Sequence, residues 1–140
     1  MTSRTNSFAK TRRDHAVETA EDYVEAIDEI VQEIGQCRVR DLALQMQVSH
    51  VTVTRILSRL EGEGLVERIP YGPVRLTGRG RRLAKASRAR HELMLEFLLA
   101  IGVPESVAAH DAEGMEHHAS EKTLEAIRSF LDAHQPSPEP

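Results

Sequence analysis

The feature that most constrains the fold of this chain is the order of three patterns between residues 39 and 77. Residues 39–46 and about 50–61 carry apolar side chains at helical spacing, and Gln47-Val48-Ser49 forms a tight turn between them. Two β-compatible runs then flank Pro70-Tyr71-Gly72-Pro73, which predicts a two-stranded hairpin. Preceded by another helical run, this order predicts a winged helix-turn-helix.

Helical periodicity also marks the segments on either side of this unit. A first helix is predicted to begin near residue 18 and to stop at Gly35. Thr77 is placed to cap a long fourth helix, and a sixth helix opens at Ser120. The fold class is therefore predicted to be mainly α with a small β-hairpin, a winged helix-turn-helix domain being followed by a helical domain.

Composition restricts the setting in which the chain works. No apolar run approaches the ~20 residues of a membrane span, and residues 1–4 lack the apolar core of a signal peptide. Cys37 is the only cysteine, so no internal disulfide is possible. These features predict a cytoplasmic protein without a membrane partner. Cys37 is interpreted as a small residue near a helix end rather than as a nucleophile.

The net charge is −4, but basic and acidic residues are concentrated in different segments of the chain. Residues 38–90 contain twelve Lys or Arg and four Asp or Glu, whereas residues 92–140 contain ten acids and two bases. This division favours polyanion binding by the central segment and cation binding by the C-terminal third. The alternative is that both segments only present solvated helix surfaces.

A winged helix lays its second turn-linked helix in the major groove and touches the backbone or minor groove with its hairpin. Arg can bond guanine in a bidentate manner, and Thr can contact a thymine methyl group. Exposed residues on the first helical turns and the hairpin are therefore candidate DNA contacts, with Arg59 placed for a phosphate: Ser49, His50, Thr52, Arg55, Arg59, Tyr71 and Arg75. The basic run over residues 75–90 favours additional phosphate attraction.

The acidic third contains Asp111-Ala112-Glu113-Gly114-Met115-Glu116-His117-His118. If this run is helical, Glu113 and His117 lie one turn apart on one face, with Glu116 alongside. Asp22 and Glu25 have the same one-turn spacing on the first helix. The site predicted from these segments has four carboxylates and two imidazoles: Asp22, Glu25, His91, Glu113, Glu116 and His117. Oxygen ligands with some nitrogen suit Mn(II) or Fe(II), whereas thiolates favour Zn or Cu(I).

The sequence does not predict an enzyme. His-Glu-x-x-His is absent, because His91-Glu92 is followed by Leu93-Met94-Leu95, and the inverted motif fails at Glu113. Nothing resembles a Gly-rich phosphate loop or an activated nucleophile. A metalloenzyme that uses the carboxylate and imidazole cluster is the alternative from a different class.

Three motifs around the winged helix carry a family resemblance. Asp22-Tyr23-Val24-Glu25, Arg90-His91-Glu92-Leu93 and the run over residues 111–118 resemble the diphtheria toxin repressor family, most closely its manganese transport regulator branch. The similarity extends over about residues 19–134. It implies a winged-helix DNA-binding domain (19–78), a helical metal-binding and dimerisation domain (79–134) and no SH3-like third domain. We expect a flexible basic extension over residues 1–18 and a disordered tail over residues 135–140.

The resemblance also implies a function. The family's binuclear Mn(II) site, with two ions per subunit, maps onto the six residues given above and excludes His118. Asp22 and Glu113 indicate the branch, because iron-sensing relatives carry Met and Cys there. The expected protein is a Mn(II)-dependent regulator, chiefly a repressor, that binds palindromic operator DNA as a homodimer and controls manganese homeostasis. A regulator of the same fold that responds to Fe(II) or Zn(II) is the nearest alternative.

Overall fold

The computed structural model describes residues 4–134, with side chains from residue 9 onward. The predicted disordered tail over residues 135–140 lies outside the described part. The elements are α1 (Arg4–Ile34), α2 (Val39–Met46), α3 (His50–Gly62), β1 (Val66–Arg68), β2 (Val74–Leu76), α4 (Gly78–Ala100), α5 (Glu105–Met115) and α6 (Glu121–Ala133). This mainly helical order with one hairpin confirms the predicted fold class. The described residues form two compact units, and the boundary between them falls between Ala86 and Ser87.

The start of the first helix was predicted wrongly. Helix α1 begins at Arg4 rather than near residue 18, so residues 4–17 continue the helix instead of forming a separate tail. Its end agrees with the sequence pattern, because Gly35 follows Ile34 with a φ of +85°. Glycine adopts this left-handed conformation without the steric penalty of a Cβ atom.

The first unit has one apolar core, to which α1, α2, α3 and the hairpin contribute. Ile27, Leu42, Leu57 and Leu60 are completely buried there, and each buried side chain of this size contributes roughly 1.5–3 kcal/mol. The backbone N–H of Thr52 donates to Ser49 Oγ at 3.1 Å, which confirms Ser49 as the cap of α3.

A backbone hydrogen bond joins the hairpin to the segment before α2. Strands β1 and β2 pair antiparallel, with Val66 opposite Leu76, and the N–H of Val74 donates to Cys37 O at 2.7 Å. Cys37 is completely buried, and desolvation, with a smaller effect of Asp41, raises the pKa of its thiol to about 12. The thiol is therefore protonated at neutral pH, which argues against a nucleophilic role.

The hairpin is followed by a close backbone contact at the start of α4. Thr77 Oγ1 donates to Gly64 O at 2.7 Å and accepts from the N–H of Gly80 at 3.0 Å, which confirms its capping role. A Cβ atom at position 80 would collide with the backbone carbonyl of Leu65. Only glycine fits this position without a shift of the backbone.

The second unit has its own apolar core. Met94, Leu98, Ile127 and other buried side chains from α4, α5 and α6 form it, and the rings of Phe97 and Phe130 meet edge to face at 5.6 Å. Ser120 Oγ caps α6 by accepting from the N–H of Thr123 at 3.2 Å. No helix in the described part of the chain is long and apolar enough to cross a membrane.

Candidate metal centre and nucleic-acid interface

The acidic motif of the second unit straddles the end of a helix. Glu113 lies in α5, but the helix ends at Met115, and His117 and His118 lie in the turn that follows. The run over residues 111–118 is therefore helical only as far as Met115. Glu116 directly follows the last helical residue with φ −60° and ψ −33°, and its N–H still donates to Ala112 O.

Helix α4, the end of α5 and this turn bring four predicted ligands together. His91 Nδ1 lies 3.1 Å from Glu116 Oε2 and 3.5 Å from Glu113 Oε1. At the other oxygen of the same carboxylate, His117 Nε2 lies 3.4 Å from Glu116 Oε1. One ligand-type atom each of His91, Glu113 and Glu116 falls within 4.8 Å of the others, the spacing that a single ion requires.

Burial differs sharply within this cluster. The side chain of Glu116 is 0% exposed and that of His117 is 1% exposed, whereas Glu113 is 61% exposed. Burying a carboxylate is costly unless positive charge or hydrogen-bond donors compensate it. The donor set of two carboxylates and two imidazoles without a thiolate fits a hard divalent cation such as Mn(II) or Fe(II).

The remaining predicted ligands lie in the first unit, on helix α1. Asp22 and Glu25 are half-buried there. Because α1 starts far earlier than predicted, Glu18 also lies within the helix, one turn before Asp22 on the same face. The sequence interpretation placed the helix start near Glu18 and did not consider this residue as a ligand.

The predicted DNA-reading residues differ in how they are held. His50 and Arg55 are exposed on the first turns of α3. Ser49 Oγ donates to Thr52 Oγ1 at 3.0 Å, so these two hydroxyls also serve the helix cap. Arg59 is engaged within the protein, because its Nη2 donates to Ala16 O at 3.0 Å and its Nε lies 3.5 Å from Glu63 Oε1.

The tip of the hairpin presents an unusual tyrosine. Tyr71 is fully exposed and has a φ of +59°, a left-handed conformation that is rare for a bulky residue. The N–H of Gly72 donates to Ile69 O at 2.8 Å, and Arg38 Nη1 lies 3.5 Å from Tyr71 O. Arg75 is exposed on β2.

Some of the arginines in the basic run over residues 75–90 bind backbone carbonyls of the protein itself. Arg79 Nη1 donates to Glu63 O and Arg81 Nη1 donates to Leu76 O, both at 3.0 Å. Arg82 and Lys85 are exposed. Part of the basic charge after the hairpin therefore binds backbone carbonyls, and part remains exposed at the surface.

Comparison with known proteins identifies the class to which this fold and cluster belong. Residues 15–74 match the family described as iron dependent repressor, N-terminal DNA binding domain, and residues 77–139 match its metal binding and dimerisation domain. The chain belongs to the iron dependent repressor family, and the predicted resemblance is confirmed.

Individual relatives place the chain more narrowly within this family. Transcriptional regulator MntR of Escherichia coli O6:H1 is 46% identical over 127 residues, which cover 91% of this chain and 82% of that protein. MntR of Salmonella typhimurium is 42% identical over 132 residues, which cover 94% of this chain and 84% of that protein. A solved manganese-dependent transcriptional repressor complex with manganese has a TM-score of 0.70 and 32% identity, over 85% of this chain. The chain spans about 55% of the length of that solved repressor.

Proposed function

We propose that this protein is a manganese-responsive transcriptional repressor. The observation that carries the proposal is the cluster in which the buried carboxylate of Glu116 faces His91 through one oxygen and His117 through the other. Its exposed neighbour is Glu113, a carboxylate rather than a thiol, so the cluster favours a hard cation. The relatives named MntR and the solved manganese complex support the same metal.

The ligand set of the proposed site comes from both units. We assign Mn(II), two ions per subunit, to the six residues Asp22, Glu25, His91, Glu113, Glu116 and His117. The family resemblance supports the first two. The spacing of the second-unit cluster supports His91, Glu113 and Glu116, and His117 Nε2 lies 3.4 Å from Glu116 Oε1. When bound, the cations supply positive charge that neutralises the carboxylates. His118 is exposed and is not assigned as a ligand.

The first unit is proposed to read operator DNA. His50 and Arg55, exposed at the start of α3, meet base edges in the major groove, where Arg pairs with guanine. Ser49 and Thr52 hold the start of the helix and contact the adjacent backbone. Arg59, Tyr71 and Arg75 contact phosphates or the minor groove, and for Arg59 this requires release from Ala16 O.

Metal and DNA binding are linked in this proposal, because the metal ligands belong to both units. Bound metal would be shared by ligands on α1 and ligands in the second unit. In a dimer, this sharing restricts the spacing between the two recognition helices. A fixed spacing favours an operator whose half-sites match it. Linkage is reciprocal, so DNA should tighten Mn(II) binding by the same factor, on the order of 1–3 kcal/mol.

A homodimer is proposed as the binding unit. The family description of residues 77–139 includes dimerisation, and the second unit exposes large apolar side chains that a partner copy would cover: Leu99, Ile101, Val107 and Met115. A two-fold dimer requires a palindromic operator. We divide the chain into a DNA-binding domain at 19–78 and a metal-binding and dimerisation domain at 79–134, acting in the cytoplasm. Membership of a repressor family argues against catalysis.

The test is fluorescence anisotropy with a palindromic operator, first in chelator and then with Mn(II), Fe(II) and Zn(II) titrated separately. Tight binding that requires Mn(II) and is lost in Asp22→Ala would support function and ligand together. Equal binding in chelator would contradict the metal-sensing role. A stronger response to Fe(II) or Zn(II) than to Mn(II) would assign the same architecture to another metal.

A further inference from the structure

Helix α1 carries its charges in two blocks. Up to residue 13 the chain has four bases and no acid, whereas residues 14–34 have eight acids and no base. The first turn of α1 has no acid and its last turn has no base. The helix dipole favours acids near the N-terminus and bases near the C-terminus, which is the reverse arrangement. Helix stability therefore does not account for the basic block.

The basic segment, defined here as Lys10, Arg12 and Arg13, presents free positive charge. All three side chains are exposed, and none forms an ion pair or hydrogen bond with another residue of the described part of the chain. Asp14, the nearest acid in sequence, forms no ion pair with any of the three. An external polyanion is the partner that such a group fits.

The basic segment lies close to the recognition helix α3. Arg59 of α3 donates through Nη2 to Ala16 O at 3.0 Å, one turn of α1 beyond Arg13. Ala20 is buried one further turn along, so α1 is fixed to the first unit just after the segment. Residues 4–13 add about 15 Å of helix beyond this attachment, at about 1.5 Å per residue.

We infer that the basic segment is an additional DNA-backbone contact, which binds phosphates beside the groove that α3 enters. This inference extends the proposed DNA-binding function and rests on it. Ammonium and guanidinium groups bind phosphate without reading bases, and each neutralised phosphate releases condensed counterions. The segment therefore raises affinity for any duplex and leaves the choice of operator to α3.

The experiment compares the full-length protein with the variant Lys10→Gln/Arg12→Gln/Arg13→Gln. Anisotropy is measured on an operator duplex with Mn(II) and on a random duplex of equal length, at several salt concentrations. At about 0.9 per phosphate contact, the slope of log affinity against log salt should fall by up to about 2.7 on both duplexes. Mn(II) affinity measured without DNA should not change.

A charge-conserving variant, Lys10→Arg/Arg12→Lys/Arg13→Lys, is the matched control and should keep the wild-type slope. Arg128→Gln, which removes an exposed base on α6, should also keep it. Circular dichroism checks that helix content is retained in every variant. A glutamine variant with the wild-type slope on both duplexes overturns the inference. Failure of the proposed function would appear instead as metal-independent binding by the wild type, and the random duplex still tests the segment in that case.

Discussion

His91 Nδ1 lies 3.1 Å from Oε2 of Glu116, a carboxylate that is completely buried and that faces His117 through its other oxygen. The two imidazoles therefore approach different oxygens of one carboxylate. Glu116 comes from the turn after α5 and His91 from α4, so the contact depends on how these two helices pack in the second unit.

Replacing Glu116 by Gln should separate metal binding from folding. The amide keeps the shape of the side chain but removes the carboxylate that a hard cation needs, so the metal-free protein should stay folded while Mn(II) binding is lost. Thermal unfolding with and without Mn(II) should show that metal-dependent stabilisation is lost. Glu113→Gln, at an exposed position, should leave metal-free stability unchanged. A metal-free Glu116→Gln protein that is much less stable would mean that the carboxylate is structural.

Replacing Glu113 by Cys should change metal selectivity. A thiolate is a softer ligand than a carboxylate, so the response should shift from Mn(II) toward Zn(II) and other softer metals. The measurement is the metal concentration needed for half-maximal operator binding, for each metal in turn. Glu113→Asp keeps the hard oxygen and should preserve the order of metals. An unchanged order in the Cys variant would remove Glu113 from the ligand set.

Replacing Tyr71 by Gly should separate DNA affinity from stability. Glycine relieves the strain of the φ of +59°, and no buried contact is lost, because the side chain is fully exposed. The free energy of unfolding should therefore stay the same or rise, while affinity for operator falls. Urea unfolding and anisotropy measure the two effects, and Tyr71→Asn is the control that also tolerates this conformation. Retained affinity in both variants would exclude Tyr71 from the interface.

Two glycine substitutions should have opposite effects on folding. Gly80→Ala places a Cβ atom against the carbonyl of Leu65 and should destabilise the protein by about 1–3 kcal/mol. Gly62→Ala in α3 meets no atom within 4 Å and should be neutral or stabilise by up to about 1 kcal/mol. Urea unfolding of both variants measures this contrast. Equal stability of the two variants would contradict the close contact between Gly80 and Leu65.

Cys37 should make the protein less stable in alkali. Burial raises the pKa of its thiol from 9.0 to about 12, so the unfolded chain loses this proton first. The contribution of the protonated thiol to the free energy of unfolding is complete below pH 9 and declines toward pH 12. The decline is up to about 1.4 kcal/mol per pH unit. Urea unfolding between these limits should show stability falling more steeply for the wild type than for Cys37→Ala. Parallel curves would show that the thiol titrates normally in the folded protein.

Much of the fold is local and was therefore predictable. The bounds of α2, the cap at Ser49 and the hairpin follow from apolar spacing and turn residues that act within a few positions. The start of α1 was not predictable in this way. Residues 4–17 lack apolar periodicity, but extending an existing helix costs little once its later turns are held by the core.

Some properties of the candidate site could also be predicted from the sequence, and others could not. The types of its ligands, and thus the preference for a hard cation, can be read from the sequence, because donor chemistry belongs to the side chain itself. The tertiary structure alone decided that Glu116 is buried and Glu113 exposed, that α5 ends before His117, and that Arg59 binds Ala16 O. These properties depend on which residues distant in sequence pack around each group, and no local pattern encodes that packing.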